Sequence, residues 1–183
     1  MKLNDAIKNY KNVLTKKDCS SITQELQFVK WDKHSFVNPQ TNKGDFKENY
    51  CNISTSVLPS NNFLMKTLWE TVHRYISDLN FFWYKEWNGY SAPRYNHYLT
   101  NYEMKKHCDH IHSLFEDSNK GVPVLSIVGL LNENFEGGDF LINGKRINLE
   151  IGDILIFPSN FMYPHEVRKI TAGERYSFVS WVW

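Results

Sequence analysis

The sequence predicts an α+β, mainly β, protein, with helices in the first half and a barrel or sandwich of short strands in the second. Three observations carry this. Apolar side chains recur at three- and four-residue steps between Leu64 and Leu79. From about residue 95 the apolar segments shorten to strand length. Those segments are separated by tight-turn signals at regular spacing, the pattern of sandwiches and barrels.

The elements follow in chain order. Thr15 can cap a first helix, with Asp18 in its first turn and Ile22, Leu26 and Val29 on one face. Residues 32–50, rich in Asn, Lys and Asp, read as a solvated loop or irregular edge strand that could serve as a flap. Ser60 can cap the second helix, whose stripe runs through Leu64, Met65, Leu68, Trp69, Val72, Tyr75, Ile76 and Leu79. The cluster Phe81, Phe82, Trp83, Tyr84, Trp87 and Tyr90 reads as aromatic core where helix meets barrel, or as a loop that grips substrate. Val122–Leu131 is a buried strand, with Leu125, Ile127 and Val128 in the core. Asp139–Ile142, Asn143-Gly144 and Lys145–Leu149 spell a hairpin, because Asn-Gly supplies the positive φ angles of a type I′ turn. Gly152-Asp153 reads as a turn, and Ile154–Phe157 as a buried strand closed by Pro158. Glu166–Lys169, the turn Thr171-Ala172-Gly173 and Arg175–Trp183 complete the set.

The 183 residues are read as a single domain. Apolar residues make up 42% and charged residues 22%, enough for a packed core. A formal net charge of +1 offers no field for nucleic acid or an anionic membrane. No apolar run is long enough to span a bilayer as a helix, and the first twenty residues lack the apolar stretch of a secretory signal. Cys19, Cys51 and Cys108 are odd in number and lack CxxC spacing, so a reduced, cytoplasmic protein is expected.

The chemistry concentrates in the second half. His107 and Asp109 alternate along a strand and project together, with Cys108 and His110 opposite. An imidazole and a carboxylate side by side make part of a metal site. His165 follows the Ile154–Phe157 strand, and two histidines with one carboxylate form the facial triad that leaves positions open on Fe(II). Arg175 opens the last strand, and a guanidinium turned into a barrel is costly unless it meets a carboxylate. The alternation of Tyr176, Phe178 and Val179 with Ser177 and Ser180 leaves open which face it takes.

The order Tyr98, His107-x-Asp109, Gly137-Gly138, Gly152-Asp153, Phe157-Pro158-Ser159, His165, Arg175-x-Ser177 and Trp181 resembles the 2-oxoglutarate- and Fe(II)-dependent dioxygenases, in their prolyl-4-hydroxylase-like branch. The resemblance covers about residues 90–183. It implies a double-stranded β-helix, or jelly roll, over 93–183. Residues 1–92 are then the helical and irregular support with substrate-side loops. It implies Fe(II) on His107, Asp109 and His165, with those three and Arg175 as the catalytic set. It places Tyr98, Arg175 and Ser177 around 2-oxoglutarate, with O2 as the oxidant and ascorbate as an accessory reductant. The implied reaction hydroxylates an unactivated C–H bond, foremost of a prolyl residue in a peptide or protein. A free amino acid or another small molecule is the alternative substrate. Trp181 is expected in the core beneath the site.

Three rival patterns bear on this reading. His110-x-His112 with Glu116 has a cupin-like spacing, which would make the chain a cupin-like metal-binding or non-catalytic barrel. Tyr163 stands where the later cupin histidine is expected, and Arg175 would have no role. A nucleic-acid demethylase of the AlkB kind resembles an arginine followed six residues later by another, but Trp181 holds that position. A halogenase of the superfamily would lack Asp109.

Overall fold

In the computed structural model, a seven-stranded antiparallel sheet carries two helices on its outer face and a four-stranded sheet on its inner face. The structure describes residues 2–38, 43–46, 48–81, 84, 87–109 and 122–183. For 36–38 and 43–46 only the backbone is described.

Strand β1 (Lys8–Tyr10) leads to α1 (Lys16–Glu25). The capping box at Thr15 forms as the sequence requires: the Thr15 hydroxyl accepts from the Asp18 N–H, and the Asp18 carboxylate accepts from the Thr15 N–H. A 3₁₀ turn, Leu26–Phe28, follows and buries Leu26. Strands β2 (Asp32–Lys33), β3 (Ser35–Asn38), β4 (Lys43–Phe46) and β5 (Asn52–Ser54) then lead into α2 (Asn61–Leu79). Of the two readings for residues 32–50, the edge strand holds among the described residues: β2 is the last strand of the larger sheet. β2 pairs with β5, β3 pairs with β4, and His34 and Tyr50 are buried. Ser60 stands at the N-cap of α2 but does not cap it, because its hydroxyl donates to Glu25 at 2.7 Å and ties the two helices together. Leu64, Leu68, Val72 and Tyr75 form the buried stripe.

The remaining strands are β6 (Arg94–Tyr98), β7 (Met104–His107), β8 (Leu125–Leu130), β9 (Phe135–Gly137), β10 (Phe140–Ile142), β11 (Lys145–Ile147), β12 (Ile154–Pro158), β13 (His165–Val167), β14 (Ile170–Gly173) and β15 (Arg175–Val182). The larger sheet runs β1-β12-β8-β15-β6-β5-β2 and the smaller β11-β10-β13-β7. Asn143 and Gly144 have φ of 53° and 73°, so the β10–β11 hairpin turns as its Asn-Gly requires. Thr171-Ala172-Gly173 is not a turn. It lies in β14, which pairs with β9, because Gly137 and Gly173 supply the positive φ that lets these short strands cross. Asp153 is more than a turn residue. Its fully buried carboxylate binds Lys11 at 2.8 Å and accepts the N–H groups of Asn12 and Glu150, which fastens the start of the chain to the sheet.

Two cores result. Leu64, Leu68, Val72 and Tyr75 meet Ile127, Ile154, Ile156, Tyr95, Phe178 and Val182 between helices and sheet. Tyr84, Trp87 and Tyr90 pack at its margin, and the Tyr90 hydroxyl donates to the Met65 carbonyl on α2. Tyr84, Trp87 and Tyr90 of the aromatic cluster thus pack against the core; Phe82 and Trp83 lie outside the described residues. The second core, between the sheets, holds Tyr98, Met104, Val128, Phe140, Phe157 and Val167. Strand β15 is buried on both faces, which is why its apolar alternation was blurred.

Candidate active site

The inner face of the larger sheet and the start of the smaller one enclose a cleft. Arg94, Asn96, Tyr98, His107, Asp109, His165, Arg175, Ser177 and Trp181 are among its lining residues. All six residues singled out for iron or cosubstrate therefore open on one space.

His107 and His165 are cross-strand partners on β7 and β13, which brings their rings to 4.4 Å between centroids. The alternation predicts Asp109 on the strand, but it lies beyond it. β7 ends at His107, and a bend carries Asp109 back so that its Oδ1 lies 3.5 Å from His107 Nε2 and 3.6 Å from His165 Nε2. Three potential ligand atoms lie within 4.8 Å of one another.

Hydrogen bonds prepare this trio. His107 Nδ1 lies 2.8 Å from the Lys105 carbonyl, and His165 Nδ1 lies 3.2 Å from the Tyr163 carbonyl. A carbonyl only accepts, so each Nδ1 carries a proton and each Nε2 points inward, with a lone pair to offer once the ring is neutral. Burial lowers the His165 pKa against the pull of Asp109 and favours the neutral ring that ligates metal. Burial pushes the Asp109 pKa up, but the imidazoles of His165 and His107 and the hydrogen bonds from His107 and Ser126 outweigh it, so the carboxyl stays well below the usual range. Two lone pairs and a carboxylate oxygen facing one another call for a cation between them. The donor set fits a non-haem Fe(II) with open positions.

Sequence reasoning missed the groups behind Asp109. The Ser126 hydroxyl donates to Asp109 Oδ2 at 2.7 Å and shares a 2.8 Å hydrogen bond with Ser159. The Trp181 indole N–H donates to the same Oδ2 at 3.0 Å. Oδ1 is thus left to the histidines. Trp181, expected only as core, orients the carboxylate. A signal existed: Ser126 is a lone hydroxyl in an apolar strand, and Trp181 lies six residues after Arg175, on the same face of β15.

Arg175 settles the question of its face by pointing inward. It is 2% exposed, donates to the Ser177 hydroxyl at 2.9 Å, and lies 5.2 Å from the Tyr98 ring centroid. Among the described residues no carboxylate pairs with it. Burial lowers its pKa. Gly138 makes room: a Cβ there would stand 3.2 Å from Arg175 Cδ, and its φ of 64° suits glycine. A buried guanidinium without its own acid fits an incoming carboxylate, such as that of 2-oxoglutarate. The Tyr98 hydroxyl is hydrogen-bonded to the Cys51 thiol, and burial, foremost, raises its pKa well above the usual tyrosine value. His110, His112 and Glu116, the cupin-like trio, lie outside the described residues.

Residues 93–183 match the family described as the 2OG-Fe(II) oxygenase superfamily. A PKHD-type hydroxylase of Prochlorococcus marinus is 30% identical over 77 residues, which cover 40% of this chain and 34% of that protein. The chain therefore spans only about a third of that relative. Among solved structures, a prolyl hydroxylase from Trichoplax adhaerens, in complex with a peptide fragment of a hypoxia-inducible-factor oxygen-degradation domain, superposes with a TM-score of 0.71 at 18% identity. That match covers 98% of this chain and 84% of the other. The viral collagen prolyl hydroxylase from Paramecium Bursaria Chlorella virus-1, in complex with 2-oxoglutarate, gives 0.70 at 11% identity, covering 97% and 94%. The fold is accordingly the double-stranded β-helix of the prolyl-4-hydroxylase-like kind, and the chain belongs to the 2OG-Fe(II) oxygenase superfamily.

Proposed function

We propose that this protein is a 2-oxoglutarate- and Fe(II)-dependent dioxygenase that hydroxylates an unactivated C–H bond, with a prolyl ring as the substrate group. One observation carries the reading. A His–Asp–His trio with inward lone pairs shares a cleft with a buried arginine that lacks an acid of its own. The prolyl substrate is supported by the likeness to prolyl hydroxylases, one of them bound to a peptide. A free amino acid is a second reading, favoured by the polar inner face of β6.

His107, Asp109 and His165 would hold Fe(II), and Arg175 would take the far carboxylate of 2-oxoglutarate. When bound, iron and cosubstrate supply O2 activation, with 2-oxoglutarate oxidised to succinate and CO2 as the substrate C–H becomes C–OH. The chain's own residues do the rest. The Lys105 and Tyr163 carbonyls hold the Nδ1 protons and so aim both Nε2 atoms. Ser126 and Trp181 fix the Asp109 carboxylate. Ser177 orients the Arg175 fork, and Tyr98 walls the cosubstrate end of the cleft. The apolar core between the sheets excludes water from this end. Ascorbate would serve as the reductant that restores Fe(II) after uncoupled turnover.

The test is anaerobic. Fe(II) and then 2-oxoglutarate are added, and the visible metal-to-ligand charge-transfer band of the chelate is recorded. Its appearance in the wild type and loss in His165→Ala is the expected result. Iron binding without a band would overturn the cosubstrate assignment.

A further inference from the structure

Strand β6 sends three polar side chains into the cleft at alternate positions: Arg94, Asn96 and Tyr98. Across the sheet they register with Val179, Ser177 and Arg175. The cleft therefore has an arginine at each end of one strand pair. Arg94 stands four positions before Tyr98, the partner of Arg175, so the two arginine positions are roughly 13 Å apart along the strands. Their heads do not converge. The Arg175 guanidinium lies over Tyr98, directly opposite, whereas the Arg94 guanidinium lies 4.8 Å from the ring centroid of Trp181, which is farther from Arg175 along β15. A five-carbon diacid held by Arg175 is too short to reach Arg94 as well.

Arg94 also lacks an acid of its own. Among the described residues no carboxylate lies in ion-pair contact with it, and its Nε is buried without a hydrogen-bond partner. Asn96 is 4% exposed, and its Oδ1 is likewise buried without a partner. The described titratable neighbours leave Arg94 uncompensated. Asp109 spends Oδ2 on Ser126 and Trp181 and turns Oδ1 to the histidines. His34 feels the charges of Arg94, His107 and Asp109, and with a pKa lowered to about 3, chiefly by burial, it is neutral at pH 7. A partly buried planar fork of N–H donors, its Nε buried without a partner, calls for a carboxylate. The adjacent amide oxygen calls for an N–H.

We infer that Arg94 and Asn96 form the substrate-recognition pair, and that the substrate presents a carboxylate to Arg94 and an N–H to Asn96, beside the carbon to be oxidised. The inference rests on the proposed function, since it seats the substrate next to the His–Asp–His trio. An α-carboxylate with its own amine or amide nitrogen meets both demands. Its source is either a free amino acid or the C-terminal residue of a peptide.

The experiment uses the full chain, loaded anaerobically with Fe(II) and 2-oxoglutarate. The charge-transfer band reports that loading has succeeded; if it never forms in the wild type, the proposed function falls and this inference with it. The loaded protein is then titrated by calorimetry with L-proline, L-prolinamide, a short peptide ending in a free prolyl carboxylate, and the same peptide amidated. At least one acid should bind about tenfold or more tightly than its amide. Preference for L-proline identifies a free amino acid, and preference for the peptide acid a chain terminus. Arg94→Met should erase the difference between acid and amide while the 2-oxoglutarate titration of the band stays where it was. Arg94→Lys should restore part of the difference. Equal binding of acid and amide, or no binding of either acid, overturns the inference while the band leaves the proposed function standing. A shift of the 2-oxoglutarate titration in Arg94→Met as large as that in Arg175→Met also overturns it, because Arg94 would then belong to the cosubstrate.

Discussion

The Trp181 indole N–H donates to Asp109 Oδ2 at 3.0 Å, so a side chain that reads as core ballast in the sequence positions a proposed metal ligand. Trp181→Phe keeps the ring and removes the donor. Fe(II) affinity should fall by about tenfold to a hundredfold while the thermal midpoint of the metal-free protein moves little. Anaerobic metal titration beside a melting curve separates the two effects. Unchanged iron affinity would show that Ser126 alone holds the carboxylate.

Arg175 makes a second prediction with two signs. Its guanidinium is buried with no acid among the described residues, so Arg175→Met should weaken 2-oxoglutarate binding by between about tenfold and a hundredfold. The same change removes an uncompensated buried charge, so the metal-free protein should be no less stable than the wild type. Band titration gives the first number and denaturant unfolding the second. A large stability loss with normal cosubstrate binding would reverse the assignment.

The fold was legible where one local signal dominated. The Thr15 capping box, the Asn143-Gly144 hairpin and the stripe of α2 each depend on residues a few positions apart. It was not legible where both faces of an element are buried. Apolar residues then stop alternating, as in β15, and the inward turn of Arg175 becomes visible only through its register with Tyr98. Ser60 misled for another reason. Its hydroxyl had a distant partner, Glu25, that no local pattern can show. In the site, residue types and spacing brought His107, Asp109 and His165 forward and the family resemblance added Arg175, because iron and carboxylate chemistry needs few side chains. The Ser126–Asp109–Trp181 bonds join β8 and β15 to the bend that follows β7, so their pairing depends on tertiary register alone.

His34 sets a pH prediction. Its pKa is lowered to about 3, by burial first and then by the charges of Arg94 and His107, against the opposing pull of Asp109. The unfolded chain takes up this proton below about pH 6.5 and the folded chain does not. Stability is unaffected by His34 above that pH and is lost as pH falls below it, by at most about 1.4 kcal/mol per pH unit. His165 acts in the same direction, so the informative quantity is the difference between wild type and His34→Gln. Urea midpoints of the metal-free proteins at pH 7 and pH 5 should show a smaller acid loss in the variant. Parallel losses would mean that His34 protonates freely in the folded state.

Gly129 predicts a packing penalty. A Cβ there would lie 2.1 Å from the Phe178 ring, in the middle of the paired strands β8 and β15. Gly129→Ala should destabilise by about 1–3 kcal/mol, measured by denaturant unfolding. Phe178→Leu in the same chain should recover part of the loss. Additive losses in the double variant would show that the ring is not the obstacle.

The pairing of His107 with His165 has a mechanical consequence. Among the described residues, β7 is the outermost strand of the four-stranded sheet and pairs only with β13. An ion gripped by one ring from each strand acts as a clasp on that rim. Filling the centre would also pin the backbone leading to Asp109, and emptying it would let the rim fray. The state of the metal would then be written into the amide exchange of Met104–His107, a record kept by the scaffold whether or not any substrate is turned over.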